Sequence, residues 1–111
     1  LAALSAETTR LADAARTGSL KLDELEGGTF SVSALGMFGV DMFTPVINPP
    51  NVAILGVGRL RDDVIVVDGA VTTCKRLTLS LTWDHRVLDG APAAAFCKTI
   101  ADLLADPSTL D

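Results

Sequence analysis

The apolar positions divide the chain into a helical beginning, a strand-rich middle and a helical end. Over residues 5–17, Leu11, Ala14 and Ala15 form a narrow apolar stripe, with Arg10, Asp13 and Arg16 on the wet side. Ser5 is a candidate N-cap, Glu7 suits a first turn and Gly18 follows the last helical position, so a surface helix is predicted. Residues 22–26 add a turn before Gly27-Gly28. Residues 29–34 alternate, with Thr29, Ser31 and Ser33 on one strand face and Phe30 and Val32 on the other. Residues 35–51 then form a long Gly- and Pro-rich connection ending in Asn48-Pro49-Pro50-Asn51, and loops of that length in a compact domain are usually functional.

Residues 52–57 and 64–67 are continuously apolar, and Asp68-Gly69 is a strong hairpin signal. Leu77, Leu79, Leu81 and Trp83 alternate with Thr78, Ser80 and Thr82 in the clearest strand of the sequence. A meander of antiparallel strands is predicted. After Asp89-Gly90, the spacing of Ala93, Phe96, Cys97, Ile100, Leu103 and Leu104 predicts a helix that Pro107 ends. Strands followed by a helix favour an α+β architecture with a mainly antiparallel sheet.

Composition narrows the picture. The 111 residues suffice for one compact unit, and 49% hydrophobic against 21% charged residues excludes disorder and leaves apolar surface for a neighbour. A net charge of −5 opposes nucleic-acid binding, and no apolar run approaches the roughly 20 residues of a bilayer span, so a soluble protein is expected. Cys74 and Cys97 lack metal-ligand spacing and read as free, packed thiols in a reducing compartment. The opening Leu1-Ala2-Ala3-Leu4 has neither an initiator Met nor a signal-peptide pattern, and the chain reads as a piece of something longer.

The one histidine, His85, stands where the most regular strand stops, in Asp84-His85-Arg86-Val87-Leu88-Asp89-Gly90. A histidine at such a place is either a surface residue or a general base, since imidazole titrates near neutrality. The heptapeptide resembles the Asp-His-Arg-x-x-Asp-Gly signature of the dihydrolipoamide acyltransferases, the E2 subunits of 2-oxoacid dehydrogenase complexes, and is related to the His-x-x-x-Asp-Gly motif of chloramphenicol acetyltransferase. Three further blocks resemble the same family in order: Gly27 to Gly39 (GGTFSVSALGMFG), Thr44 to Pro50 (TPVINPP) and Ala53 to Gly58 (AILGVG). The match runs from the first helix to the last.

The resemblance implies the chloramphenicol acetyltransferase-like fold, with residues 1–111 as the C-terminal portion of one catalytic domain. It implies direct acyl transfer between the thiols of dihydrolipoamide and coenzyme A, with no metal. His85 would be the general base, its Nδ1 held by a local backbone carbonyl, at about 10²–10⁴-fold in rate. Ser33 would donate to the oxyanion, at about 10²–10³-fold. Read from the residues alone, the favoured reading of Ser33 is a polar strand face beside Ser31 and Thr29. Asp89 would order the turn through hydrogen bonds, with Asp84 and Arg86 as supporting ion-pair residues. The family forms homotrimers, with histidine and serine from neighbouring copies meeting, that build larger cores serving a lipoyl domain and the E1 and E3 components. The domain's N-terminal half, the lipoyl domain and the peripheral-subunit-binding domain have no counterpart here, so lipoamide would come from elsewhere. The compartment would be the bacterial cytoplasm or the mitochondrial matrix. A structural assembly fragment and an antibiotic O-acetyltransferase are the competing readings.

Smaller assignments stay open at this stage. Arg59, Arg61, Lys75 and Arg76 are candidate phosphate ligands or simply solvated charges, and Asn48 is a turn residue. Met37, Phe38, Met42 and Phe43 line an acyl pocket or anchor their loop.

Overall fold

The computed structural model describes residues 1–110. Two compact units emerge, Leu1–Gly28 with the chain from Lys98 onward, and Thr29–Cys97, where a single unit is predicted from length. The division follows the backbone bonding: the middle of the chain closes its own strand ladders.

In the first unit, helix α1 (Ala2–Thr17) begins earlier than the pattern predicts, so Ser5 lies inside it rather than capping it. Gly18 ends the helix at φ 68°, its N–H reaching the carbonyls of Ala14 and Ala15 in a left-handed cap suited to glycine. Glu7 pairs with Arg10 at 2.6 Å, and Arg10 also reaches Glu24 at 2.6 Å, tying α1 to the short helix α2 (Leu22–Leu25).

The second unit holds two sheets. Strand β1 (Ser31–Ala34) runs parallel to β2 (Ala53–Val57), which pairs antiparallel with β5 (Leu79–Trp83). Strands β3 (Arg61–Val67) and β4 (Ala70–Arg76) form a separate hairpin. The predicted meander is therefore corrected: β2 reaches β5 directly and the hairpin leaves between them. Asp68 and Gly69 both have positive φ, 50° and 79°, as a two-residue type I′ turn requires. Helix α3 (Gly90–Ala105) follows β5. Ala93 is its one buried residue, and Phe96 meets Phe30 at 5.7 Å between rings.

The core is small. Ala53, Ile54 and Leu55 of β2 and Ala93 are the buried hydrophobic residues, because β2 is the central strand and neighbours cover it on both edges. No helix of the described residues is long and apolar enough to cross a membrane.

Candidate active site

Register fixes which side chains share a sheet face. Ser33, Gly56 and Ser80 form one row, and Ser31, Ile54 and Thr82 the next. Residues opposite one another in a ladder point to the same side, so Ser31, Ser33, Ser80 and Thr82 make a hydroxyl-rich face. Phe43 and Pro45 lie over it: a Cβ on Gly56 would sit 3.1 Å from the Phe43 ring and 3.2 Å from Pro45 Cδ. Phe43 is thus a loop anchor, whereas Met37, Phe38 and Met42 are exposed. Strand β1 inverts the usual burial, with both serines half-buried and Val32 64% exposed. Asn51 Nδ2 donates to Ser31 Oγ at 2.7 Å. Ser33 Oγ makes no hydrogen bond among the described residues, leaving its proton available.

The connection before β2 is positioned by glycines. A Cβ on Gly58 would lie 2.0 Å from the Asp41 carbonyl oxygen, and one on Gly36 2.9 Å from Arg59 Cα. Three backbone bonds cross there: Leu35 N–H to Val57 O, Gly58 N–H to Thr78 O and Arg59 N–H to Val40 O. Only residues without a side chain permit this approach.

His85 sits on the turn between β5 and α3. Asp84 builds that turn with two groups. Its carboxylate accepts the Arg86 N–H at 3.0 Å, and its carbonyl accepts the N–H groups of Val87 at 3.0 Å and Leu88 at 3.2 Å. The Arg86 side chain returns to the same carboxylate, with Nη2 to Oδ2 at 2.6 Å. Those bonds from the Arg86 guanidinium, together with its backbone N–H, hold the Asp84 carboxyl down to about 2. The Asp84 N–H meanwhile donates to Val52 O at 2.8 Å, extending the β2–β5 ladder one step. The far end of the turn is closed by Trp83, whose indole Nε1–H donates to Leu88 O at 2.8 Å.

The imidazole itself is 70% exposed and makes no hydrogen bond among the described residues. Its Nδ1 lies 3.9 Å from Asp89 Oδ1, too long for a hydrogen bond, and no backbone carbonyl holds it. Asp89, 89% exposed, does not brace the turn with its side chain; its carbonyl accepts the Ala93 N–H and starts α3. Asp84 and Trp83 do the bracing. The sequence pattern marks Asp84 only as a supporting residue and Trp83 only as a strand residue; the signal for Trp83 is its indole N–H, a donor that a half-buried tryptophan satisfies locally.

Ser33 and His85 do not converge within one chain. Trp83 is three residues along β5 from Ser80 and two strands away from Ser33, a backbone separation of about 14 Å from strand rise and spacing. It also faces the opposite side of the sheet, because an odd step along a strand reverses direction. The Trp83–His85 ring contact, 5.9 Å between centroids, puts the imidazole on Trp83's side.

The basic candidates are all occupied by carboxylates. Arg59 and Arg61 share Asp41, Lys75 meets Asp62 at 2.6 Å and Arg76 meets Asp63 at 2.9 Å. Cys74 and Cys97 are free and half-buried. No cluster of metal-ligating side chains occurs among the described residues.

The α+β fold with its short parallel–antiparallel sheet is that of the chloramphenicol acetyltransferase-like catalytic cores. A family model described as 2-oxoacid dehydrogenases acyltransferase (catalytic domain) matches residues 1–110, and the chain belongs to that family. The lipoamide acyltransferase component of the Pseudomonas aeruginosa branched-chain alpha-keto acid dehydrogenase complex is 46% identical over 106 residues, covering 96% of this chain and 25% of the relative. The crystal structure of Azotobacter vinelandii dihydrolipoamide acetyltransferase superposes with a TM-score of 0.89 at 44% identity, covering 96% of this chain and 44% of that one. The cubic core of a pyruvate dehydrogenase multienzyme complex gives the same TM-score at 43% identity and the same coverages. The chain therefore spans about a quarter of its curated relative and under half of each solved core chain.

Proposed function

We propose that the chain is the C-terminal portion of a catalytic domain that moves an acyl group from acyl-dihydrolipoamide to coenzyme A. The observation that carries this reading is a spacing. In the A. vinelandii enzyme, the serine and histidine investigated for a role in the catalytic mechanism stand 52 positions apart, with an asparagine four further on; Ser33 and His85 are 52 apart, with Asp89 four further on. Aspartate stands where that enzyme has asparagine, in keeping with the Asp-His-Arg-x-x-Asp-Gly signature. It sets a carboxylate oxygen 3.9 Å from His85 Nδ1.

In the proposed step, His85 Nε2 takes the proton of the coenzyme A thiol, since the thiolate is the nucleophile. The sulfur attacks the thioester carbonyl, and the oxyanion accepts a hydrogen bond from Ser33 Oγ. Collapse of the intermediate expels the dihydrolipoamide sulfur, which recovers the proton from His85. The separation of Ser33 and His85 on opposite sheet faces supports a site shared between copies, as in a trimer. The trimer would build a larger core, with a separate lipoyl domain delivering substrate from E1 and returning it to E3. Relatives acting in branched-chain and acetyl complexes match at nearly the same identity, which supports the shared transfer step rather than one acyl group.

Replacing His85 by Ala in the complete polypeptide is expected to lower kcat by about 10²–10⁴-fold in an acyl-CoA and dihydrolipoamide assay. Undiminished turnover overturns the mechanism. The exposed valines and leucines around a small core favour, as a second reading, an assembly module without turnover of its own. Purified complete polypeptide that forms cores but shows no coenzyme A-dependent transfer would select it.

A further inference from the structure

We infer that Trp83 is a positioning residue for His85, holding the turn at its far end and the imidazole at its flank; this rests on the catalytic reading above. The ring of His85 is 70% exposed and has no hydrogen bond of its own among the described residues. Its direction must come from the backbone that carries it and from whatever the ring touches. Asp84 secures only the near side of that backbone, through the N–H groups of Arg86, Val87 and Leu88. The Leu88 carbonyl points back instead, and Trp83 Nε1–H meets it at 2.8 Å, a half-buried bond that joins the last residue of β5 to the residue just before the motif aspartate.

The same indole lies beside the imidazole, with 5.9 Å between ring centroids and 35° between planes. One side chain thus fixes the loop length and restricts the ring. Trp83 is itself anchored, because its backbone pairs with Ala53 of the buried central strand. Its backbone place is therefore set by the β2–β5 ladder. An exposed general base needs such support: a misplacement of about 1 Å can cost roughly 10²-fold in rate without any change in binding.

The test separates the donor from the ring in the complete polypeptide. 3-Benzothienylalanine at position 83 keeps the bicyclic shape and replaces the N–H by sulfur, while Trp83→Leu removes both functions. The isostere is expected to lower kcat about 10-fold and Trp83→Leu about 100-fold, with KM for coenzyme A and dihydrolipoamide within about twofold of wild type. The imidazole proton resonances of His85 should shift in Trp83→Leu as the neighbouring ring current disappears. Wild-type kcat with the isostere and with Trp83→Phe, in folded protein, overturns the positioning role. So does a rise in KM at unchanged kcat. His85→Ala is assayed alongside: if it alone collapses turnover, only the role of Trp83 fails, and if it retains turnover, the catalytic reading fails with it.

Discussion

Asn51 donates its side-chain amide to Ser31 at 2.7 Å, and the next residue, Val52, accepts the N–H of Asp84 at 2.8 Å. One dipeptide at the entrance to β2 thus grips both the serine strand and the histidine turn. Asn51→Ala is expected to destabilise the complete domain by about 1 kcal/mol, the net worth of one hydrogen bond, measured by urea denaturation. A midpoint equal to wild type would show that Ser31 finds another partner at no cost.

The opposite placement of Ser33 and His85 leads to a complementation experiment. Ser33→Ala and His85→Ala homo-oligomers should each be nearly inactive. Unfolded and reassembled together in equal amounts, they are expected to recover about a quarter of wild-type activity, because that fraction of randomly formed head-to-tail interfaces pairs an intact serine with an intact histidine. No recovery in assembled mixed particles would place both residues of a site on one copy.

The turn should loosen in acid. Asp84 titrates at about 2 when folded against an ordinary 3.8, so the folded form favours the charged carboxylate. Its contribution is complete above about pH 4 and is lost as pH falls toward 2. NMR titration of the Asp84 carboxyl carbon checks this, with a midpoint below 3 expected. In Arg86→Ala the midpoint should rise, since the guanidinium is the leading cause; an unchanged midpoint would assign the depression to the backbone N–H alone.

Gly58→Ala would force a Cβ to 2.0 Å from the Asp41 carbonyl oxygen. A backbone oxygen cannot move as a flexible side chain can. A loss of about 3 kcal/mol, at the upper end for overpacking, is expected in chemical denaturation. A loss below about 0.5 kcal/mol would mean the crossing of residues 40–41 over 58–59 relaxes freely.

Much of the fold was legible because it is local. Alternation marked Leu79, Leu81 and Trp83 as a strand, Asp68-Gly69 announced its own turn, and the spacing from Ala93 to Leu103 announced a helix. The start of α1 is not legible in this way: Ser5 suits a cap, yet nothing before it stops the helix, which begins at Ala2. A meander is what sequential strands usually make, and only backbone geometry shows that β3 and β4 pair with each other alone.

The sequence by itself determined the chemistry offered: one imidazole, a serine 52 positions before it, and the glycines that let backbone cross backbone. Those follow from residue type and local spacing. The tertiary structure decided how the offers are used. It turned the hydroxyls of β1 inward, occupied the basic side chains with carboxylates, gave the bracing of the turn to Asp84 and Trp83 rather than Asp89, and set Ser33 and His85 on opposite faces. Each of these depends on which strands pair and in what register, a matter of contacts between residues distant along the chain that no local pattern encodes.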